Sequence, residues 1–417
     1  MNKNKGNVLA IGICFFLFAM ISFVTGLQNP MGIIAKAQFG ATNFMSQLGN
    51  AANFIAYAFL GLPAGFLLKG KGYKFTALAA VSVGFIGVGI SYLSGILGSF
   101  SVYLLGAFVS GFSMCMLNTV VNPLLNTLGG GGNKGNQLIQ LGGSLNSLAA
   151  TIVPVLAGYL IGEVTEKTQV ADVNLALFIA MAIFALAFVI IFFSEIPEPE
   201  LEAAAKEAGQ PKESTMASIK GALSHKNLVF GIFAIFLYVG IEVGIPNMAN
   251  LYMTSPDGLG MAAGVAGTLV GAYWFLMLCG RLVGGAVGAK VSSRAMMTFV
   301  SSIAIVFVLL GMFLPETMTM TLLDAQVPVG MVFFVLCGLC TSIMWGAIFN
   351  LAVEGLGKYT SIASGLFMVM VCGGGLLPLL QGFVADKAGY IPSYWVIIAA
   401  LAYTLWFALA GSKVEKK

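Results

Sequence analysis

The chain has 417 residues, of which 59% are hydrophobic and only 9% are charged, and its formal net charge is +4. A soluble domain carries roughly 25% charged residues, so this composition excludes an ordinary soluble protein and indicates a chain that lies mostly in lipid. The small net charge gives no indication of a nucleic-acid partner.

Twelve spanning helices are predicted from the apolar runs. A helix needs about 20 apolar residues to cross a bilayer. The first run follows a basic start, as in a signal peptide, but it continues well past signal-peptide length and is expected to be retained. We number the predicted spans one to twelve in chain order: 8–34, 45–68, 75–97, 101–127, 137–161, 174–193, 228–253, 262–288, 296–315, 328–353, 362–385 and 391–411. The fold class is therefore an all-α membrane protein.

A charged, alanine-rich and proline-flanked segment, residues 194–226, separates span six from span seven. It predicts three parts, namely an N-terminal six-helix bundle (1–193), a cytoplasmic linker (194–226) and a C-terminal six-helix bundle (227–417). The halves also share a pattern: PVLAGYLIGE (154–163) and PLLQGFVADK (378–387) both have a proline followed four places later by a glycine. Pseudo-symmetric halves of this kind are typical of transporters.

The basic residues predict the orientation of these spans. With twelve spans, both termini and the linker share one side, and that side holds sixteen basic residues: Lys3, Lys5, Lys69, Lys71, Lys74, Lys134, Lys206, Lys212, Lys220, Lys226, Lys290, Arg294, Lys358, Lys413, Lys416 and Lys417. The opposite side holds three, Lys36, Lys167 and Lys387. Because basic loops stay in the cytoplasm, both termini are predicted to be cytoplasmic.

One acidic residue inside a span is the strongest functional signal. Of 16 acidic residues, only Glu242, in FLYVGIEVGIPN (236–247), lies deep within a predicted span. A carboxylate there costs about 2.5–3.5 kcal/mol, and such residues usually mark ion or substrate pathways. The basic residue Arg281 also lies within a span, but its predicted position near the cytoplasmic end of span eight makes a direct pair with Glu242 unexpected.

Glu242 is accordingly predicted to be the ion-coupling residue. It could take up and release a proton, or help to hold Na⁺ together with its own backbone carbonyl, since Pro246 has no N–H to bond that carbonyl. The alternative is a structural role, in which Glu242 pairs with a buried base or caps a kink near Pro246.

Amides and aromatic rings within the spans predict the ligand. Asn118, Asn122 and Asn126 recur every four residues and therefore lie on one helical face. Amides supply donors and acceptors without net charge, and aromatic rings pack against the C–H faces of sugars, so the set suits a neutral polyhydroxylated ligand. For any single asparagine the alternative is hydrogen bonding between helices, worth about 0.6 kcal/mol on average. The predicted substrate-binding residues are Asn29, Asn118, Asn122, Asn146, Tyr273, Trp274, Trp345 and Asn350.

Other kinds of site have little support in the sequence. The glycine-rich loop 129–137 lacks the Gly-Lys-Ser/Thr ending of a phosphate loop and follows a helix, not a strand. The six cysteines lie in apolar runs and the single histidine, His225, lies in the central segment. We therefore predict no enzyme, no metal cluster and no cofactor apart from a coupling ion, Na⁺ or H⁺.

Five short motifs, in order along the chain, match those of one known family. They are PAGFLLKGKGYK (63–74), MLNTVVNPLLNTLG (116–129), YVGIEVGIPN (238–247), EGLGKYTSIASG (354–365) and GGGLLPLLQGFVAD (373–386). The set resembles the fucose–galactose–glucose:cation symporter family of the major facilitator superfamily. The resemblance implies two six-helix bundles in the bacterial inner membrane, a hexose or deoxyhexose site between them, and alternating access coupled to a cation.

The chain departs from that family at defined positions. Proton-coupled fucose members carry one acid in span one and another in span four, and the matching residues here are Asn29 and Asn118. Gly143 stands where a glutamine is expected, whereas Glu242 matches the span-seven acid of glucose/galactose-like members. The leading prediction is a monomeric importer of a monosaccharide coupled to Na⁺ or H⁺. The alternatives are an uncoupled facilitator or exporter of another small polar molecule, or a membrane sensor that does not transport.

Overall fold

The computed structural model is predominantly helical, and its long helices follow the predicted spans. It describes residues 3–39, 45, 48–130, 132–161, 173–198, 201, 215–288, 291–322, 325–356 and 359–414. Within that part of the chain, eleven helices are long and apolar enough to cross a membrane. The predicted fifth span coincides with a further helix of 30 residues, Gly132–Ile161, which is not among those eleven.

The N-terminal half contains the first six predicted spans, whose numbers we keep. Their helices are Lys3–Phe39, Leu48–Leu97 (spans two and three together), Phe100–Leu128, Gly132–Ile161 and Asn174–Phe193. The long helix Leu48–Leu97 is interrupted at Gly72, where φ is 83° and ψ is 179°. A positive φ of this size favours glycine, so the chain can turn there between spans two and three.

The predicted linker begins by binding the turn between spans two and three. The Glu198 carboxylate accepts hydrogen bonds from the backbone N–H groups of Tyr73 (2.6 Å) and Lys74 (2.9 Å), and the Lys74 ammonium donates to the Ser194 carbonyl (2.8 Å). A carboxylate beside the first N–H groups of a helix is favourably placed. Further along, the linker forms a short helix, Thr215–Leu223, and its residues 199–200 and 202–214 lie outside the described residues.

The C-terminal half contains spans seven to twelve. Its helices are Lys226–Thr254, Ala263–Val287, Ser293–Phe313, Val329–Thr341 with Met344–Val353, Thr360–Met370 with Gly373–Ala388, and Tyr390–Trp406 with a π-helical turn Phe407–Gly411. The sequence did not predict two of these features. Spans ten and eleven are each divided into two helices, and an antiparallel hairpin of β1 (Thr319–Leu322) and β2 (Ala325–Pro328) precedes span ten.

The two halves pack against each other through corresponding helices. Span five contacts span eight, and span two contacts span eleven. Glycines permit the second contact, since a Cβ atom built on Gly61 would lie 2.6 Å from the Val369 nitrogen and one on Gly375 would lie 2.8 Å from the Ala51 Cα. Such close approach of backbones is how small residues join helices in lipid. The contact places spans two, five, eight and eleven around one central cavity.

Candidate functional site: a polar cavity between the two halves

A cavity lies between the two halves, with about 1270 Å³ of empty space including the part that is open to solvent. The N-terminal half supplies mostly amides to its wall. The polar residues from this half are Ser22, Asn50, Tyr57, Asn118, Asn122, Gln140 and Asn146. The C-terminal half supplies charges and large aromatic rings. Its polar and aromatic residues are Glu242, Asn247, Trp274, Arg281, Ser342 and Trp345.

The structure brings most of the predicted site residues to this one cavity. Six of them line it: Asn118, Asn122, Asn146, Glu242, Trp274 and Trp345. Asn29 lies in the helix Lys3–Phe39, but its side chain lies outside the described part of the structure. Spans from both halves therefore meet at the depth that the sequence indicated.

Two predicted residues, Tyr273 and Asn350, are not among the residues that line the cavity. The Tyr273 side chain is 1% exposed, and its hydroxyl donates to the Glu242 backbone carbonyl (3.2 Å) and contacts the Thr341 hydroxyl (3.0 Å). The carbonyl that Pro246 leaves unbonded thus has a partner in Tyr273. Tyr273 lies behind the wall and supports span seven.

Glu242 and Arg281 form an ion pair, so the prediction that they would not pair directly was wrong. The Arg281 Nη2 lies 3.2 Å from the Glu242 Oε1, and the two side chains are 11% and 14% exposed. The Cα of Arg281 does lie toward the end of the helix Ala263–Val287. However, side chains on a helix point toward its N-terminus, and a long arginine carries its charge back toward the middle of the span.

The same guanidinium also binds the other half of the protein. Arg281 Nη1 donates to the Gly143 carbonyl (2.6 Å) and to the Ser147 hydroxyl (2.8 Å), both on span five. Its Nε donates to the Ser342 carbonyl (3.4 Å), at the point where span ten is divided. A planar guanidinium with five N–H donors can serve several acceptors at once, which an ammonium could not do in this geometry. Arg281 therefore joins spans five, seven, eight and ten.

The asparagines of the N-terminal half are held in place mainly through their N–H groups. Asn118 Nδ2 donates to the Tyr57 hydroxyl (3.0 Å), Asn122 Nδ2 to the Asn118 carbonyl (2.9 Å), and Asn146 Nδ2 to the Phe18 carbonyl (3.2 Å). Among the described residues, the Oδ1 atoms of Asn122 and Asn146 accept no hydrogen bond. These two oxygens are therefore free to accept one from a ligand.

Both tryptophans of the cavity are held by tyrosines from behind. The Trp274 ring meets Tyr273 at 5.4 Å and 86°, and the Trp345 ring meets Tyr238 at 6.3 Å and 63°. These edge-to-face contacts are favourable for aromatic pairs. Most of the amides come from the N-terminal half, and both indole rings come from the C-terminal half. A bound molecule would therefore meet amides on one side, and indole faces beside the Glu242–Arg281 pair on the other.

Several wall residues were not predicted from the sequence. Tyr57 holds Asn118, while Asn50 donates across the halves to the Gly374 carbonyl (3.2 Å). On span five, Gln140 and Gly143 line the cavity, and Ser147 binds Arg281. The spacing of these span-five residues, i, i+3 and i+7, is that of a single helical face. This periodicity could have identified the cavity-facing side of span five from the sequence.

Proteins of known function resemble this chain over nearly its whole length. A glucose/galactose transporter of Brucella abortus is 28% identical, with 99% of this chain and 95% of that protein covered. The L-fucose-proton symporter of Escherichia coli is 24% identical, with 98% of this chain and 95% of that protein covered.

The fold of the chain is also similar to that of a solved transporter structure. The crystal structure of the transporter FucP in its outward conformation matches with a TM-score of 0.74 at 22% identity, covering 98% of this chain and all of that one. The family model for the Major Facilitator Superfamily matches residues 11–378. The predicted fold of two six-helix bundles is confirmed, and the chain belongs to the major facilitator superfamily.

Proposed function

We propose that the chain imports a monosaccharide, a hexose or deoxyhexose, by alternating access, and that Glu242 couples this import to Na⁺ or H⁺. The observation that carries the proposal is one cavity between the halves with amides on one wall, tryptophans on the other and a buried ion pair at its edge. The relatives named as glucose/galactose and fucose transporters support a sugar of this size. The protein would act as a monomer in the bacterial inner membrane, with both termini cytoplasmic.

The wall chemistry suits a neutral sugar. The free Oδ1 atoms of Asn122 and Asn146 would accept hydrogen bonds from sugar hydroxyls, and the indoles of Trp274 and Trp345 would cover the C–H faces of the ring. Glu242 and Arg281 are the charged residues among the described lining residues, and their net charge is zero, so this part of the wall offers no uncompensated charge to an ionic ligand. Buried polar groups left without a partner are costly, so a ligand that supplies hydroxyls at the right positions is favoured over an apolar one.

A coupling cation would have to compete with Arg281. The Glu242 carboxylate already accepts from the guanidinium, and the Glu242 carbonyl accepts from Tyr273. A proton or Na⁺ that reaches the carboxylate would weaken its attraction for Arg281 and so change how the guanidinium is held. The same pair also supports one alternative. Because Arg281 already neutralises Glu242, the chain could act as an uncoupled facilitator without any external cation.

Uptake into proteoliposomes tests this function and separates coupled from uncoupled transport. With an inward Na⁺ or H⁺ gradient, we expect a labelled hexose or deoxyhexose to accumulate above its outside concentration. Collapse of that gradient with an ionophore should return the inside concentration to the outside one. Equal concentrations under every gradient would identify the facilitator, and no uptake of any sugar in a panel would reject sugar transport.

Asn122→Ala should weaken sugar binding about 5- to 150-fold, because the loss of a hydrogen bond to a buried group costs about 1–3 kcal/mol. Asn118→Ala should do the same, since it removes a wall amide together with its bond to the Tyr57 hydroxyl and the bond that its Oδ1 accepts from Asn122 (3.4 Å). Binding is measured by isothermal titration calorimetry in detergent. Asn250→Ala is the matched control, as Asn250 lies on span seven and does not line the cavity. Unchanged affinity in both cavity variants would remove this wall from the site.

A further inference from the structure

Arg281 is bound by both halves of the protein, but not in the same way. Within the C-terminal half it is held by the Glu242 carboxylate and the Ser342 carbonyl, at 3.2 and 3.4 Å. Toward the N-terminal half it makes two shorter bonds, to Gly143 and Ser147 at 2.6 and 2.8 Å. Hydrogen bonds from a charged donor are among the stronger ones in proteins. Rocking of one half against the other must break the second pair of bonds and can leave the first pair intact.

Beside these bonds, spans five and eight make a further contact. One turn beyond Arg281, a Cβ atom on Gly285 would lie 4.0 Å from the Gln140 Cβ. In the other direction along this face of span eight, a Cβ atom on Gly264, Gly267 or Gly271 would meet no atom of the described residues within 4 Å, and the side chains of span five beyond Val153 lie outside that part of the structure. With the predicted orientation, spans five and eight therefore touch at Arg281 and on its cytoplasmic side.

We propose that Arg281 is a latch between the two halves and that Ser147 is the side chain that receives it. Glu242 and Ser342 hold the guanidinium on its own half, aimed at span five. The guanidinium lies directly against the span-five backbone, since a Cβ atom on Gly143 would be in ordinary contact with Nη1 at 3.5 Å. When the halves separate, Arg281 keeps its carboxylate, so opening leaves no buried charge unpaired. This inference relies on the proposed function only in assuming alternating access, and on no particular substrate.

The test measures the ratio of open to closed molecules without any sugar. Spin labels are placed at Lys71→Cys and Val291→Cys, exposed positions on the two halves at the predicted cytoplasmic side, after replacement of the native cysteines. Double electron–electron resonance in lipid then reports a short distance for closed molecules and a long one for open molecules. Ser147→Ala should raise the open-to-closed ratio about tenfold, since it removes one acceptor of a charged donor.

Ser144→Ala is the matched control. Ser144 lies on the same helix and is also buried, but its hydroxyl donates to the Gln140 carbonyl of its own helix (2.9 Å). This variant should leave the ratio unchanged. An unchanged ratio in Ser147→Ala, or an equal rise in both variants, would overturn the latch.

The contact itself can be trapped as a second measurement. Gln140→Cys and Gly285→Cys should form a disulfide, since Cβ atoms 4.0 Å apart lie within disulfide geometry. The oxidised pair should show only the short distance, and failure to crosslink would contradict the closed contact. A chain that takes up no sugar but responds to Ser147→Ala would keep the latch and reject only the substrate.

Discussion

Glu242→Gln is expected to abolish accumulation of sugar, so that the inside concentration stops at the outside concentration under any ion gradient. Glutamine keeps the shape of the side chain and can still accept from Arg281, but it can neither bind a proton reversibly nor neutralise a cation. Binding and exchange of sugar should persist in part, because the asparagines and tryptophans of the cavity remain. The measurement compares accumulation with counterflow exchange in the same proteoliposomes.

Glu354→Gln is the control for this variant, since Glu354 is an exposed acid outside the cavity, and it should accumulate sugar as the parent does. Accumulation by Glu242→Gln at the level of the parent would mean that Glu242 is structural. The ion pair with Arg281 would then be sufficient to explain why the span contains a carboxylate. If the parent does not accumulate sugar either, the facilitator alternative applies and Glu242 has no coupling role to lose.

The spans were predictable because each membrane crossing requires about 20 apolar residues, and runs of that length can be counted in the sequence. The division of spans ten and eleven was not predictable in the same way. A local break in a helix does not change the hydropathy of the span, so hydropathy cannot detect it. The backbone carbonyls that the break leaves unbonded can accept hydrogen bonds from other helices, as the Ser342 carbonyl does from Arg281. The hairpin before span ten was missed for a similar reason, since its strands are only four residues each.

The depth of each site residue could be predicted, but the direction of its side chain could not. Consecutive residues on a helix point about 100° apart, and of Tyr273 and Trp274 the structure turns only Trp274 toward the cavity. Trp345 and Asn350 are five residues apart and therefore differ by about 140° in direction. Polarity indicated that both pairs lie within spans, but only tertiary packing selects the member that lines the wall.

Arg281 was misplaced for a further reason. Span predictions assign depth to the Cα atom, whereas the charge of an arginine lies at the end of a long stem that points toward the helix N-terminus. In span eight that direction is the middle of the membrane, where Glu242 lies. The two charged residues within the spans thus compensate each other, and this explains in part why the chain tolerates both.

Arg281→Ala is expected to destabilise the folded protein by about 3–5 kcal/mol, because removal of one partner leaves the other charge buried and uncompensated. The change would appear as a lower Tm in detergent and as the loss of sugar uptake. The double variant Arg281→Ala/Glu242→Gln should recover part of the lost stability, since it buries no unpaired charge. The recovered part measures the coupling between the two side chains.

Arg294→Ala is the natural control for the loss of an arginine, since Arg281 and Arg294 are the two arginines of the chain. Arg294 donates to the Ser412 carbonyl (3.3 Å) and does not line the cavity, so its removal should cost less and should not depend on Glu242. Arg281→Lys should fall between alanine and the parent, because an ammonium keeps the charge but cannot reach acceptors on spans five, seven and ten together. If the effects of Arg281→Ala and Glu242→Gln on Tm simply add, the 3.2 Å contact contributes nothing to stability and Glu242 must be held by other groups.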